Sequence, residues 1–375
     1  MNMIVTPLEI TFGRMIVLMG LPPFVFSFIF SLLLGFALIP IIRRLSPGQQ
    51  VRDDGPSTHL TKSGTPTFGG LIFIIPVLVF GIFAPIAKVP AFLQSSDASG
   101  AGSIRDLSFP FLSVEGGSLS PLTAMVLLML FSGLVGFIDD YIKVRINKNG
   151  LSASAKSILL LIGIIFFTAY YLYFSGMKPY FLIPFTDLSL GGVPIEPEGF
   201  GKLIYGAIIV AVLYFTGNSV NITDGVDGLA SSVTTISAVF IGMIGSSLNS
   251  QMSRVSSFFV FAIAGGCAAF FMFNKHPARI FMGDTGSQAL GAAIGAAAVL
   301  MGTFWILIPV GIIYVAESLS VVIQVAHYKR TKERVFRMAP LHHHFELGGW
   351  SEWKVTAIFS IIGIIGGVLG LLMVL

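Results

Sequence analysis

The sequence predicts an all-α, polytopic integral membrane protein with about ten transmembrane helices. Of its 375 residues, 54% are hydrophobic and only 11% are charged, which leaves too few polar side chains to cover a soluble globule of this size. The apolar stretches are about 20 residues long and lack the alternation of barrel strands. Helices that satisfy their own backbone hydrogen bonds are therefore the expected spans.

Ten apolar runs are candidate spans, and the first continues into Pro40, Arg43 and Arg44 without a clear small-residue cleavage site. We therefore expect an uncleaved transmembrane helix rather than a signal peptide. The one cysteine, Cys267, lies inside the seventh run, which excludes an intramolecular disulfide. The predicted spans are 17–43, 69–88, 120–141, 156–175, 201–219, 227–247, 256–273, 285–302, 304–326 and 354–375.

The basic residues predict the orientation of these spans. Most of the 22 lysines and arginines fall in loops that follow odd-numbered spans, so the positive-inside rule places those loops in the cytoplasm and both termini outside. The basic residues behind the net charge of +4 are spread over short loops between spans. They therefore indicate the orientation of the protein in the membrane, and we expect no nucleic-acid partner. On the other side, 89–119 is expected to be a flexible loop and 177–199 a small hairpin.

Five aspartates lie at the cytoplasmic edges of apolar runs, where a carboxylate is costly to keep. A charge near hydrocarbon is a functional candidate by default, and several that converge indicate a site for a hard cation and phosphate. We therefore expect residues 1–375 to form a single transmembrane catalytic domain with catalytic loops in the cytoplasm. The five are Asp139, Asp140, Asp224, Asp227 and Asp284.

Two motifs flank the second and third spans. In KSGTPTFGG, Lys62 and Thr67 precede a helix whose N-terminus favours an anion, although an ordinary cap and turn is the alternative. In DDYIK, Asp139 and Lys143 share a helix face, so an intrahelical salt bridge is the alternative to a functional role. The neighbouring charge of Asp140 favours function, because a bound cation or proton would relieve the repulsion.

Loops five and seven supply further acids. Asn221 and Asp224 stand three residues apart and Asp227 follows, in a loop with no cation of its own and no EF-hand spacing. Asp284 precedes the eighth span, where helix capping and metal binding are both compatible with it. For Asp227 a simple turn role is an equal alternative.

Loop nine carries three consecutive histidines, His342, His343 and His344. Successive helical residues point about 100° apart, so the three cannot bind one ion on a regular helix. No cysteine and no spaced histidine pair accompanies them. We therefore expect the histidines to donate hydrogen bonds to phosphate or to carry protons rather than to form a zinc site.

The chain resembles the polyprenyl-phosphate N-acetylhexosamine-1-phosphate transferases over nearly its whole length. The motifs that carry the resemblance are, in chain order, KSGTPTFGG, DDYIK, NITDGVDGLA, NKHPARIFMGDTGS and MAPLHHHFE. MAPLHHHFE and GTPTFGG are similar to the branch that acts on UDP-N-acetylmuramoyl-pentapeptide. The resemblance implies transfer of the phosphosugar to undecaprenyl phosphate with release of UMP, and a requirement for Mg²⁺. Its chemistry would consist mostly of positioning and charge neutralisation.

The resemblance also implies residue roles. Asp284 would be the magnesium ligand, and Asp139, Asp140, Asp284 and His343 the catalytic residues. The substrate contacts would be Lys62, Thr67, Lys143, Lys156, Asn221, Asp224, Asp227, Asn274, Phe281, Gly283, Gln324, His342 and His344. Direct attack by the lipid phosphate and a two-step route through a covalent phosphosugar enzyme both remain open, and the ionised phosphate favours the first.

The resemblance further implies a homodimer in the bacterial cytoplasmic (inner) membrane, in contact with membrane lipid, that nucleoside antibiotics inhibit. Two other functions stay open at this point. One is a sister enzyme that transfers N-acetylglucosamine phosphate to the same lipid, and the other is a cation-coupled transporter. The transporter is less favoured, since the charges collect at one interface and no internal repeat is evident.

Overall fold

A computed structural model describes residues 7–45, 64–83, 114–115, 118–147, 149–184, 194–248 and 250–374. The described chain is mostly helical, with only two short strand pairs, as the composition predicts. The helices are α1 Pro7–Leu45, α2 Leu71–Phe83, α3 Pro121–Arg145, α4 Ala153–Ala169, which continues as a π-helical turn Tyr170–Phe174, α5 Phe200–Thr223, α6 Leu229–Ser247, α7 Gln251–Asn274, α8 Gly283–Leu300, α9 Leu307–Val310 after a 3₁₀ turn Phe304–Ile306, α10 Ile312–Thr331, α11 Leu341–Glu346 and α12 Glu352–Leu372.

Each of the ten predicted spans coincides with helical structure. Seven helices among the described residues are long and apolar enough to cross a membrane. The ninth predicted span is two helices, 304–310 and 312–331, which meet at an angle of 84° and count as an eighth crossing if they form one span. The helix for the second span is shorter, with 13 residues. A polytopic α-helical membrane protein is confirmed, whereas ten crossings and the side of each terminus stay predictions.

Two short antiparallel hairpins lie between the helices. Strands β3 (Phe181–Leu182) and β4 (Pro194–Ile195) pair, which confirms the hairpin predicted within 177–199. Strands β1 (Val114–Glu115) and β2 (Ser118–Leu119) also pair, so the end of the predicted flexible loop is ordered by strand pairing. The rest of that loop up to residue 113 lies outside the described residues.

Helix α8 is the centre of the bundle. Its sixteen residues from Thr285 to Leu300 are all buried, packed chiefly between α3 and α5. Alanine and glycine dominate this helix, which also contains Asp284 and Gln288 and is not among the seven helices that are long and apolar enough to cross a membrane. Small residues suit such a position, because they let neighbouring backbones approach closely.

The contact between α3 and α8 has no space for an extra atom at Gly136. A Cβ there would overlap the carbonyl oxygen of Asp284 at the start of α8. The backbones at Gly70 and Gly286 also approach too closely for a side chain on either. These contacts fix the end of α3 against the start of α8, and they bring Asp139 and Asp140 beside Asp284.

We predict that Gly136→Ala destabilises the protein, because the added methyl group must push α8 away from α3. Overpacking of this kind costs about 1 to 3 kcal/mol. The matched control is Gly363→Ala in α12, where the nearest atom to a new Cβ is a methyl carbon of Ile236 at 3.8 Å. Melting temperatures of the purified variants in detergent test this, and an equal effect of both substitutions would contradict the packing argument.

Candidate active site

Two carboxylates and two ammonium groups form the centre of the site. Lys143 Nζ lies 2.8 Å from Asp139 Oδ2 and 2.6 Å from Asp284 Oδ2. Lys156 Nζ lies 2.7 Å from Asp284 Oδ2 and 3.6 Å from Asp139 Oδ2. All four side chains are mostly buried, so removing one partner would leave an uncompensated charge. The salt bridge foreseen between Asp139 and Lys143 is present, and Asp284 joins it from 141 residues away.

Asn221 connects α5 to this cluster. Its amide nitrogen donates to Asp284 Oδ1 at 2.6 Å and to Ser287 Oγ at 2.8 Å, while its amide oxygen lies 3.4 Å from Lys156 Nζ. Both carboxylate oxygens of Asp284 are therefore held by protein groups. Asp139 is held likewise, since its Oδ1 accepts from the backbone of Leu151 at 2.6 Å.

Asp140 faces the start of α8 rather than the lysines. Its Oδ1 accepts from the Asp284 backbone N–H at 3.0 Å, and its Oδ2 accepts from the backbone and hydroxyl of Thr285 at 2.9 and 2.6 Å. A carboxylate at a helix N-terminus is favoured by the free N–H groups and the helix dipole. Asp140 therefore positions Asp284, and the two neighbouring aspartates of DDYIK have different environments.

The glycine-rich segment of loop one pairs with loop seven through the backbone. Gly69 N donates to Phe281 O at 2.9 Å, Gly70 N to Met282 O at 3.0 Å and Phe281 N to Pro66 O at 2.9 Å. Gly283 follows with φ of 72°, a left-handed conformation suited to glycine. A side chain there would meet both Asp140 and the buried hydroxyl of Thr67. Lys62 lies outside the described residues.

Asp224 differs from the other acids. It is the C-cap residue that directly follows α5. Its carboxylate makes no hydrogen bond or ion pair with another described residue. Burial raises the pKa of Asp224 well above the ordinary carboxyl value, and the charges of Asp284 and Asp140 raise it further. This carboxyl group is therefore available to a ligand that brings positive charge or donors.

A second polar cluster joins loop five, loop seven and the start of α12. Asp227 Oδ2 lies 3.1 Å from His276 Nδ1 and accepts from the Ala278 backbone at 3.0 Å, and Glu352 Oε2 accepts from the Asp227 backbone at 3.1 Å. Asn274 accepts from Gly228 and Ser231 and donates to Ile280. The sequence reasoning missed His276 and Glu352, each of which is an ordinary polar residue in its local pattern.

This cluster is also the one group in the described part of the chain in which three side chains of metal-binding type converge. Ligand atoms of Asp227, His276 and Glu352 lie within 4.8 Å of one another. The arrangement is compatible with a bound ion, although a mixed nitrogen and oxygen donor set suits transition metals better than magnesium. Asp284, the predicted magnesium ligand, is not in this group.

The three histidines of loop nine have different polar partners, although the rings of His342 and His343 are in contact. His342 is 1% exposed, and its Nδ1 lies 3.2 Å from a carboxylate oxygen of Glu317, which is fully buried in α10. The His342 backbone N–H also donates to Glu317 Oε1 at 3.2 Å. On its other side, the His342 ring packs against Gly225, next to Asp224, and neither ring nitrogen has a hydrogen bond. Glu317 could have been found in the sequence as a charge inside a predicted span.

The other two histidines make local contacts. His343 Nδ1 lies 2.8 Å from Glu346 Oε2, and His344 Nδ1 accepts from the Arg337 backbone at 3.1 Å. Gln324 Oε1 accepts from Val335 and Phe336, which fixes loop nine to the end of α10. These contacts order loop nine against the end of α10.

Most predicted site residues therefore fall into three connected groups on one face of the bundle. Direct contacts join Asp139, Lys143, Lys156, Asn221 and Asp284, with Asp140, Thr67, Phe281 and Gly283 packed at the start of α8. The second group contains Asp227 and Asn274. The third contains Gln324 and the three histidines, and His342 reaches loop five beside Asp224. Whether each of these residues binds substrate stays a prediction.

The chain is similar to known proteins over most of its length. The model of glycosyl transferase family 4 matches residues 122–302, which run from α3 through α8 and contain the aspartate and lysine cluster. Loop nine lies outside that match. Several curated relatives, all described as phospho-N-acetylmuramoyl-pentapeptide-transferase, extend over most of the chain.

The relative from Acetivibrio thermocellus is 44% identical over 92% of this chain and 93% of its own length. The relatives from Clostridioides difficile and Carboxydothermus hydrogenoformans are 39% and 40% identical over 90% and 94% of this chain and 92% and 97% of their own lengths.

We predict that Glu317→Ala destabilises the protein, because it removes the buried acceptor of the His342 backbone N–H. Leaving a buried donor without its acceptor costs about 1 to 3 kcal/mol. Glu317→Gln retains an acceptor for the His342 backbone and should cost less. The matched control is Glu196→Gln, which breaks an exposed pair with Lys178 that is worth about 0 to 1 kcal/mol. Denaturation midpoints compare the three, and equal losses at both sites would contradict the assignment.

We also predict that Asp224→Asn raises the melting temperature of the ligand-free protein and that this gain becomes larger as the pH increases. Because its pKa is raised, the Asp224 carboxyl group keeps its proton to a higher pH in the folded state than in the unfolded state. Ionisation of this carboxyl group therefore lowers the free energy of unfolding. The melting-temperature gain of the variant should be near zero at about pH 4 and should grow towards about pH 8. Glu333→Gln, at an exposed carboxylate, is the control. A gain that does not change with pH would contradict the prediction.

Proposed function

Because this chain belongs to the phospho-N-acetylmuramoyl-pentapeptide transferase family, we propose that it transfers phospho-N-acetylmuramoyl-pentapeptide from its UDP carrier to undecaprenyl phosphate, with lipid I and UMP as products. The observation that carries the proposal is the cluster of Asp139, Asp284, Lys143 and Lys156, held at the ends of apolar helices. Such a site can receive phosphate groups beside the membrane.

The two lysines are the groups that would bind phosphate oxygens. In the free protein, Lys143 and Lys156 neutralise Asp139 and Asp284. A flexible ammonium group can exchange a carboxylate for a phosphate without leaving the cluster. Phosphoryl transfer depends mostly on positioning and charge neutralisation, which two convergent cations provide.

Magnesium fits the same site by the chemistry of its donors. Carboxylate and amide oxygens are ligands that Mg²⁺ accepts, and Asp284 and Asn221 offer them, while the nearby Asp224 carboxylate has no partner among the residues that the structure describes. The two lysines only balance the two carboxylates, so a pyrophosphate brings charge that these residues do not neutralise. We propose that Asp284 holds the ion with help from Asp224. When bound, magnesium would supply charge neutralisation on the pyrophosphate.

We propose direct attack by the lipid phosphate rather than a covalent phosphosugar enzyme. A phosphate monoester has a second pKa of about 6, so the attacking oxygen is already ionised at neutral pH. Asp139 has its two oxygens occupied by Leu151 and the lysines, which suits a group that orients cations better than a nucleophile. Asp140 contributes by holding the start of α8.

The nucleotide and sugar would lie between the cluster and the loops that carry the remaining predicted contacts. Two arguments support this: His342 packs beside Asp224, and the backbone of Phe281 pairs with the glycine-rich segment of loop one. We propose that the following residues bind substrate directly or shape the pocket: Lys62, Thr67, Asp224, Asp227, Asn274, Phe281, Gly283, Gln324, His342, His343 and His344.

The membrane location, the oligomeric state and the inhibitors of the enzyme are also proposals. The apolar helices indicate a multi-pass membrane protein. We propose the bacterial inner membrane with the site on the cytoplasmic face, since the positive-inside rule places the site loops there. A homodimer and inhibition by nucleoside antibiotics are also part of the proposal, both on the resemblance alone.

The test is UMP release by the purified protein with undecaprenyl phosphate and magnesium. We expect turnover with UDP-N-acetylmuramoyl-pentapeptide and none with UDP-N-acetylglucosamine. Asp284→Asn should lower the rate by at least about 100-fold, as expected when a group that stabilises developing charge is removed. Chelation of magnesium should abolish turnover.

The matched control is Glu333→Gln, which removes an exposed carboxylate from loop nine and should leave the rate unchanged. Turnover only with UDP-N-acetylglucosamine would assign the protein to the sister reaction, and ion-driven uptake without UMP would indicate a transporter. Retained activity of Asp284→Asn would remove this residue from the metal role. A labelled phosphosugar trapped on the protein without lipid would reject direct attack.

A further inference from the structure

A cavity of about 510 Å³ lies outside the site described above, where the C-terminal part of α1 meets the end of α7. Its α1 residues are spaced by about one helical turn, so they form one face of that helix. The lining side chains used here are Phe36, Ile39 and Phe273, which are apolar, and Arg43, Arg44 and Arg279, which are cationic.

The apolar and cationic residues are separated along the axis of α1. Phe36 and Ile39 lie about two turns before the end of the helix, while Arg43 and Arg44 occupy its last turn. A membrane lipid has the same order, with its hydrocarbon towards the bilayer centre and its phosphate at the surface. Phe36 is 58% exposed, so the apolar part of the cavity opens to the surface of the bundle.

The three guanidinium groups have no acidic partner among the described residues. Arg279 lies over the ring of Phe273, 5.9 Å from its centroid, which directs this cation to the cavity from the α7 side. Arg43 and Arg44 approach from α1. Three cations around one opening, unpaired with acids in the described part of the chain, are complementary to an anionic headgroup, and arginine binds phosphate through paired donors.

The two helices that form the cavity are packed firmly together. A Cβ at Gly35 would overlap the ring of Phe273, and the rings of Phe36 and Phe273 meet edge to face with centroids 5.2 Å apart. The apolar wall is therefore preformed rather than assembled by the ligand. Basic pockets between helices at the cytoplasmic side of membrane proteins are a known way to hold anionic phospholipid headgroups.

We propose that this cavity binds an anionic phospholipid of the surrounding bilayer, with its phosphate on Arg43, Arg44 and Arg279 and its acyl chain along Phe36 and Ile39. The site is separate from the aspartate and lysine cluster. Arg279 and Asp284 belong to the same loop and helix start, so lipid binding stabilises the segment that carries Asp284. The proposal does not depend on the reaction that the protein catalyses.

The experiment measures lipid binding to the full-length protein in detergent, by thermal shift and by native mass spectrometry. The probes are cardiolipin, phosphatidylglycerol, zwitterionic phosphatidylcholine, inorganic phosphate and undecaprenyl phosphate. We expect the two anionic phospholipids to bind and to raise the melting temperature, and phosphatidylcholine and inorganic phosphate to have little effect. Replacement of the three arginines by glutamine should weaken anionic phospholipid binding on the order of 100-fold.

The control is Lys329→Gln with Arg330→Gln, which removes two positive charges from the last turn of α10 at the same predicted membrane face. It should leave phospholipid binding unchanged. Equal binding by the arginine variant and the unsubstituted protein would overturn the proposal, as would equal stabilisation by phosphatidylcholine or no lipid effect on the unsubstituted protein. Stabilisation by inorganic phosphate alone, or by undecaprenyl phosphate alone, would reject a phospholipid as the occupant.

The single variants Arg43→Gln and Arg279→Gln distinguish a specific pocket from a general surface charge. If the cavity holds one headgroup, each single substitution should weaken cardiolipin binding by about fivefold, the share of one cation near the membrane surface. A loss confined to Arg43→Gln would overturn the shared site, because the α7 side of the cavity would then make no contact with the lipid.

Discussion

Carboxylates at the ends of apolar helices are stable only when cations or hydrogen-bond donors neutralise them, and much of this structure serves that requirement. Asp139 and Asp284 share Lys143 and Lys156, so four charges from three helices form one mostly buried group. Asn221 completes the hydrogen bonds of Asp284. A cluster balanced in this way can exchange its internal partners for phosphate groups, which links the stability of the fold to its chemistry.

The geometry of this cluster depends on the packing of α8. Alanine and glycine along its length let α3 and α5 approach closely, and the contact between Gly136 and the Asp284 carbonyl sets the separation of the acids. Asp140 then fixes the first N–H groups of α8. The apparent duplication in the DDYIK motif therefore reflects a division of roles, with one carboxylate among the lysines and one at a helix start.

The loops around the cluster are ordered by polar contacts that cross between them. Asp227, Asn274 and Glu352 connect loop five, loop seven and α12, and Glu317 holds the first turn of α11 from inside α10. His342 consequently packs beside Asp224 although about 120 residues separate them in sequence. At the membrane face of α1 and α7, three arginines remain without such partners in the described chain, and a lipid phosphate is the group that would complete them.

The sequence by itself determined the class of structure, the approximate positions of the membrane-spanning helices and the hairpin at β3 and β4, and it singled out the five acids as candidates. These features are local, because hydropathy, turn residues and charges in apolar runs act over a few neighbouring positions. Only the tertiary structure decided which acid meets which cation. Helix packing determines the surroundings of these polar side chains. It places Asp140 at the start of α8, leaves Asp224 without a partner among the described residues, and brings together Glu317 with His342 and Asp227 with His276. No local pattern encodes contacts between residues so far apart along the chain.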